Sequence, residues 1–102
     1  RLQPQSVTMV ITGSHAEGLG DEDQACADYL EALMRGESVD EESVIQRVHA
    51  SRAGQKFTDP ERPQFSPLDL ELAVDVDRFP FAMVVRRQGD RHLMVPVHRR
   101  QG

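Results

Sequence analysis

There is no tryptophan in these 102 residues, a single tyrosine and a single cysteine. With Cys26 alone, no internal disulfide can form, which fits a reducing compartment. Aromatic residues make up 5% of the chain, too few to supply a base-stacking platform for single-stranded nucleic acid. No apolar stretch approaches the roughly 18–20 residues that span a bilayer. The amino end also lacks a basic segment followed by a long apolar one, so no secretory signal is legible. The expectation is a cytoplasmic protein with no membrane and no nucleic acid among its partners.

Charge is present in excess, and it is uneven. The net charge is -5, which argues against a general nucleic-acid binder. Residues 1–77 hold six basic and sixteen acidic side chains, a net of -10; residues 78–102 hold six and one, a net of +5. The basic tail either docks on the acidic remainder, is solvated, or meets an anion or a nucleic acid.

The size allows one domain. The chain starts at Arg1, and an apolar-rich run at residues 6–12 follows almost at once. That is the look of a chain entering in the middle of a larger fold, so residues 1–102 are expected to be one partial domain. Val7, Thr8, Val10, Ile11 and Thr12 are β-branched. Val7, Met9 and Ile11 share one face and Val10 the other, which predicts a strand covered on both sides. Residues 13–20 form a loop with Gly13, Gly18 and Gly20.

A helix is predicted over residues 21–35, with Cys26, Leu30, Leu33 and Met34 on its inner face, Tyr29 beside them, and Gly36 as its stop. A second helix is predicted over 41–52, N-capped by Asp40, with Val44, Ile45 and Val48 as its apolar stripe and Gly54 as its end. Three prolines mark residues 58–67 as linker-like. Ser66 and Pro67 then open a short helix whose buried side is Leu68, Leu72 and Ala73.

The period changes to two at Phe81, Met83, Val85 and again at Leu93, Val95, Val97, with Gly89 between them: a β-hairpin. Pro96 cannot donate to a ladder, so its strand belongs at an edge. The order is β, α, α, α, β, β. One strand and one hairpin make a thin sheet for three helices, a second reason to expect further strands from elsewhere.

Chemistry concentrates at Gly13-Ser14-His15-Ala16-Glu17-Gly18-Leu19-Gly20-Asp21-Glu22-Asp23. Loops at the carboxyl ends of strands are the usual ligand sites of open α/β sheets, and helix starts attract anions. No Gly-Lys-Ser/Thr follows, so this is not a P-loop, and the glycines do not give Gly-x-Gly-x-x-Gly. Three consecutive carboxylates would repel a phosphate dianion by roughly 1–4 kcal/mol for each contact at about 4 Å. A divalent cation reverses that sign, and Mg²⁺ typically takes one or two carboxylates together with waters and phosphate oxygens. The alternative is purely structural: acids at a helix start stabilise it by about 0.3–1 kcal/mol each. His15 stands in the same loop as a candidate acid, base or phosphate contact. His49, His92 and His98 show no metal-ligand spacing. Cys26 reads as a packing residue, and Ser51-Arg52 either reaches a phosphate or ends a helix in solvent.

These residues resemble a known family. Residues 7–13, then Asp21-Glu22-Asp23-Gln24-Ala25-Cys26-Ala27-Asp28-Tyr29-Leu30-Glu31-Ala32-Leu33, are similar to the carboxyl-terminal portion of 2-phosphosulfolactate phosphatases. Arg47-Val48 with Ser51, Pro67-Leu68-Asp69-Leu70-Glu71-Leu72-Ala73, Asp77-Arg78-Phe79-Pro80-Phe81-Ala82-Met83 and residues 91–97 extend the likeness to about residues 6–97. The Glu-Asp pair before the Ala-Cys-Ala helix is its most specific element. The resemblance implies an α/β chain that is part of a three-layer α/β/α fold with a mixed sheet and ends in the C-terminal hairpin. It also implies Mg²⁺-dependent hydrolysis of a small phosphorylated substrate, 2-phosphosulfolactate, in coenzyme M biosynthesis. By the same resemblance Glu22 and Asp23 take the place of the family's acidic pair, as catalytic residues and metal ligands, and Gly13 that of its post-strand glycine, with Ser14 beside it at the phosphate. The family's amino-terminal Asp-x-x-Arg-Ala-Thr pattern has no counterpart here, so the catalytic set is expected to be completed by an amino-terminal part of the same protein. The competing expectation is a non-catalytic binding or oligomerisation module that keeps the fold and associates through a sheet edge or the basic hairpin.

Overall fold

The computed structural model describes residues 4–13 and 20–99. Four α-helices, α1 (Asp21–Met34), α2 (Glu41–Ala50), α3 (Arg52–Gln55) and α4 (Pro67–Ala73), precede two strands, β1 (Phe81–Gln88) and β2 (Arg91–His98). The strands pair antiparallel as one two-stranded sheet. The result is a small α/β domain whose helices and hairpin are separate layers of the sequence.

Local chemistry sets most boundaries. α1 ends where Gly36 takes φ 71°, which lets the Gly36 amide reach the Leu33 carbonyl at 3.1 Å and the Glu37 amide reach the Ala32 carbonyl at 3.0 Å. These are the two bonds of a Schellman cap, satisfying carbonyls that the helix itself leaves open. Asp40 caps α2, accepting from the Glu42 amide at 3.2 Å and from the Ser43 hydroxyl at 2.7 Å. Ser66 caps α4 by accepting from the Leu68 amide at 3.2 Å. Each cap stabilises its helix by about 1 kcal/mol. Gly89, at φ 63°, opens the two-residue turn between Gln88 and Arg91.

Four expectations change. The second helix stops at Ala50, not Arg52, because Ser51 leaves helical geometry (φ -64°, ψ 155°) and caps a new helix by accepting from the Gly54 amide at 2.8 Å. Gly54 does not end α2. It is buried inside α3, where a Cβ would collide with the Val48 carbonyl, so only glycine allows α3 to fold back on the end of α2. On α4 the buried residue is Leu70, 4% exposed, while Leu68 (57%), Leu72 and Ala73 are exposed.

The fourth change is the run at residues 6–12, which pairs with no other segment and is not a strand among the described residues. A strand needs a neighbour to take its backbone bonds, and none stands beside it. The run lies instead along α1, where residues from Pro4 to Met9 face Glu31, Met34 and Arg35 across an open groove, and Val10 is 77% exposed.

The core is correspondingly small. Ala25, Ala27, Ala53 and Leu70 are its buried apolar residues. Cys26, Leu30, Leu33 and Met34, expected on the inner face of α1, are exposed. Together with Val44, Ile45 and Val48 of α2, Cys26, Leu30 and Leu33 line an open apolar groove of about 270 Å³. The apolar faces read from the periodicity exist; the end of α4 and the residues after it (Ala73, Val74, Val76) border the groove without closing it, and Val44, Ile45 and Val48 are half-buried. The Cα radius of gyration is 15.9 Å, where a compact chain of this length gives about 13 Å.

Candidate functional site

The carboxylates at the start of α1 tie three segments together. The Gly13 amide donates to Asp23 Oδ2 at 2.8 Å and the Thr12 hydroxyl to the same oxygen at 3.3 Å. Asp23 thus holds the end of the 6–13 segment against the helix start. Gly20 completes the approach, since a Cβ there would come within 3.3 Å of Ile11 Cγ2 and 3.6 Å of Gly13 Cα. Gly13 itself takes φ 56°, which turns the chain out of the extended run.

Asp21 reaches the other way. Its Oδ2 accepts from the Arg52 amide at 2.7 Å and its Oδ1 from the Ala53 amide at 3.4 Å. It is a cap on α3 supplied from 31 residues away. The Arg52 amide above all, with the Ala53 amide and the Arg52 guanidinium adding to it, holds the Asp21 carboxyl below its ordinary value against partial desolvation.

Glu22 differs from both neighbours. It is half-buried, and its Oε2 is shielded from solvent without a hydrogen-bond partner among the described residues. A shielded polar atom without a partner is uncommon in folded proteins.

Behind the site, Asp28 links α1 to α2. It accepts from Arg47 Nη1 at 2.8 Å and from Gln24 Nε2 at 2.8 Å, and the Arg47 hydrogen bond is the main cause of its lowered pKa. Tyr29 donates to Glu41 Oε1 at 3.2 Å; desolvation first, and then this carboxylate, raise its phenol.

Of the residues singled out in the sequence, Gly13 and Asp23 meet directly, and Glu22 is the helix residue beside Asp23. Ser14 and His15 lie outside the described residues. Ser51 is an internal cap, and Arg52 meets the site through its backbone amide. His49, on α2, and His92 and His98, on the hairpin, are exposed and lie on elements other than the site. Thr12 and the long-range reach of Asp21 escaped sequence reading; the signal for the second was the serine three residues before Gly54, which marks a helix start at Ser51.

The same geometry tests the expected metal. Glu22 and Asp23 are consecutive on a helix, so their side chains diverge by about 100°, and Asp23 is already engaged by Gly13 and Thr12. Among the described residues, no group of three or more His, Cys, Asp or Glu stands together to hold an ion. Both bonds to Asp23 fall on its Oδ2, so Asp23 Oδ1 and Glu22 Oε2 are the oxygens that the pair could offer to an ion.

The chain is a small α/β domain with an acidic helix start tied to the end of an extended segment. Against known proteins, 91 residues are 31% identical to the "Probable 2-phosphosulfolactate phosphatase" of Bacillus subtilis (strain 168), covering 88% of this chain and 39% of that protein. The match falls in that protein's carboxyl-terminal part and shows a distant family relationship. No family model matches the chain, and no solved structure matches it. No helix among the described residues is long and apolar enough to cross a membrane.

Proposed function

We propose that this chain is the carboxyl-terminal portion of a phosphatase acting on a small phosphate ester such as 2-phosphosulfolactate. What supports the reading is the similarity over 88% of the chain, combined with a Glu22 carboxylate oxygen that is shielded and has no partner among the described residues, next in sequence to the Asp23 that accepts from the Gly13 amide. In this reading Asp23 is a positioning residue: its bond to the Gly13 amide fixes the loop entry, and Ser14 follows at the substrate. Glu22 faces the reacting group. Mg²⁺, if used, takes Glu22 from this chain and its other ligands from substrate, water and residues outside this chain. The remaining layers, including the rest of a mixed sheet in a three-layer α/β/α arrangement, come from the portion of the relative that this chain does not match.

A second reading has its own support. Asp21 and Asp23 both spend their carboxylates on backbone amides, as expected of a non-catalytic module whose acidic helix start is structural. Thermal unfolding separates the two. The chain is assembled with the amino-terminal portion of the Bacillus relative and heated with Mg²⁺ plus a phosphate ester. The phosphatase reading expects ligand-linked stabilisation that Glu22→Gln removes while the unliganded melting temperature stays within about 2 °C. A ligand shift identical in wild type and Glu22→Gln would exclude Glu22 from the site.

A further inference from the structure

The backbone of the hairpin distinguishes its two edges. Gly89 and Asp90 form a two-residue turn, so Gln88 and Arg91 are the pair closed by the turn's own hydrogen bond. Hydrogen-bonded and non-hydrogen-bonded pairs alternate along an antiparallel ladder. Counting from the turn, Arg86 with Leu93, Val84 with Val95 and Ala82 with Val97 bond each other. The Arg99 amide, donating to the Pro80 carbonyl at 2.7 Å, continues the alternation one pair past the strand ends. The intervening residues direct their amides and carbonyls away from the hairpin: Phe81, Met83, Val85 and Arg87 on β1, and His92, Met94, Pro96 and His98 on β2. Pro96 therefore costs the hairpin no bond. It does remove a donor from the outer edge of β2, whereas the outer edge of β1 keeps all four.

Both faces of the hairpin are apolar. Phe81, Met83, Val85 and Met94 share one face; Val84, Leu93 and Val97 share the other; all are exposed. A strand solvated on one side alternates apolar with polar, and one buried between layers does not. The chain exposes 8719 Å², where a folded chain of 11.5 kDa exposes about 5,800 Å². The excess is far above the ~800 Å² that each partner gives a standard interface. Pairing β1 with β1 of a second copy would satisfy the edge and leave both faces open. A polypeptide bringing strands and helices covers all three surfaces, and the relative has one, because this chain matches 39% of it.

We propose that the outer edge of β1 pairs with a β-strand of the polypeptide corresponding to the unmatched amino-terminal portion of the Bacillus relative, and that β2, blunted by Pro96, is the outer edge of the completed sheet. This rests on reading the chain as one portion of a longer α/β fold, and not on that fold's catalysis.

The test is to titrate the chain with the amino-terminal portion of the relative, using the relative's own two portions as a control, and to follow amide exchange. The expected result is a one-to-one complex in which the Met83, Val85 and Arg87 amides slow at least tenfold and the His92 and Met94 amides do not. Val85→Pro should weaken binding at least tenfold, and Met94→Pro should leave it within about twofold. Both prolines fall at outward positions, where Pro96 shows that the hairpin tolerates one, and circular dichroism confirms the fold. Equal losses from both variants, protection on β2 in place of β1, or no complex where the control portions assemble would overturn the proposal. So would β1 protection arising from dimerisation of the chain alone. Phosphate release plays no part in the readout, so its loss bears on the catalytic reading alone.

Discussion

A single carboxylate, Asp21, joins the start of α1 to the start of α3, and Asp28 joins α1 to α2. Both have pKa values below the ordinary 3.8, Asp21 through the Arg52 amide and Asp28 through Arg47. A carboxylate depressed in the folded state stabilises the fold above its unfolded pKa, and that contribution is lost as the pH falls through the depressed folded value. Stability of the chain should therefore drop as the pH is lowered below about 3.8. Urea unfolding midpoints between pH 7 and pH 2.5 measure this. Asp21→Asn combined with Asp28→Asn should lower stability at pH 7 and flatten the decline, and an unchanged pH slope in that variant would rule out these two groups as its source. Neither role was legible in the sequence. The acids at 21–23 looked like one cluster, yet Asp21 and Asp23 point to different segments because successive helical side chains diverge. Glu22 is left between them as the open group.

Elements whose ends are set by their own residues were readable: Gly36 after α1, Asp40 before α2, Ser66-Pro67 before α4 and the Gly89 turn each supply a local bond or φ that needs no distant partner. Elements decided by packing were not. Ser51 has a helical neighbourhood on both sides, and only the fold-back of α3 shows why it breaks the helix. Leu70, and not Leu68 or Leu72, is buried because α4 docks on the short turn at Lys56–Thr58 and leaves its wider apolar side open. The contrast between two glycines tests this division. Gly36→Ala meets no atom within 4 Å and carries the cost of φ 71° alone, about 1–2 kcal/mol. Gly54→Ala drives a methyl into the Val48 carbonyl and should cost about 3 kcal/mol or more, at or beyond the usual range for overpacking. Urea midpoints rank the two; equal costs would mean that α3 does not pack on the end of α2 as described.

At the scale of the molecule, the apolar stripes of α1 and α2, the unpaired run at residues 6–12 and the two-faced hairpin share one feature. Each reads in the sequence as part of a core, and each is open in the structure. The periodicity reported which faces are apolar, but it could not report how far the described residues cover them. The chain spans 39% of the phosphatase it distantly resembles, and in the proposed reading the unmatched portion covers these faces and brings the groups that complete the Glu22 site. Phosphate release from 2-phosphosulfolactate by the chain assembled with the amino-terminal portion of the relative is the most direct measurement. The account predicts turnover by the assembly and by neither portion alone, reduced at least 100-fold by Glu22→Gln in a complex of unchanged stoichiometry. Turnover by the Glu22→Gln assembly at the wild-type rate would contradict it.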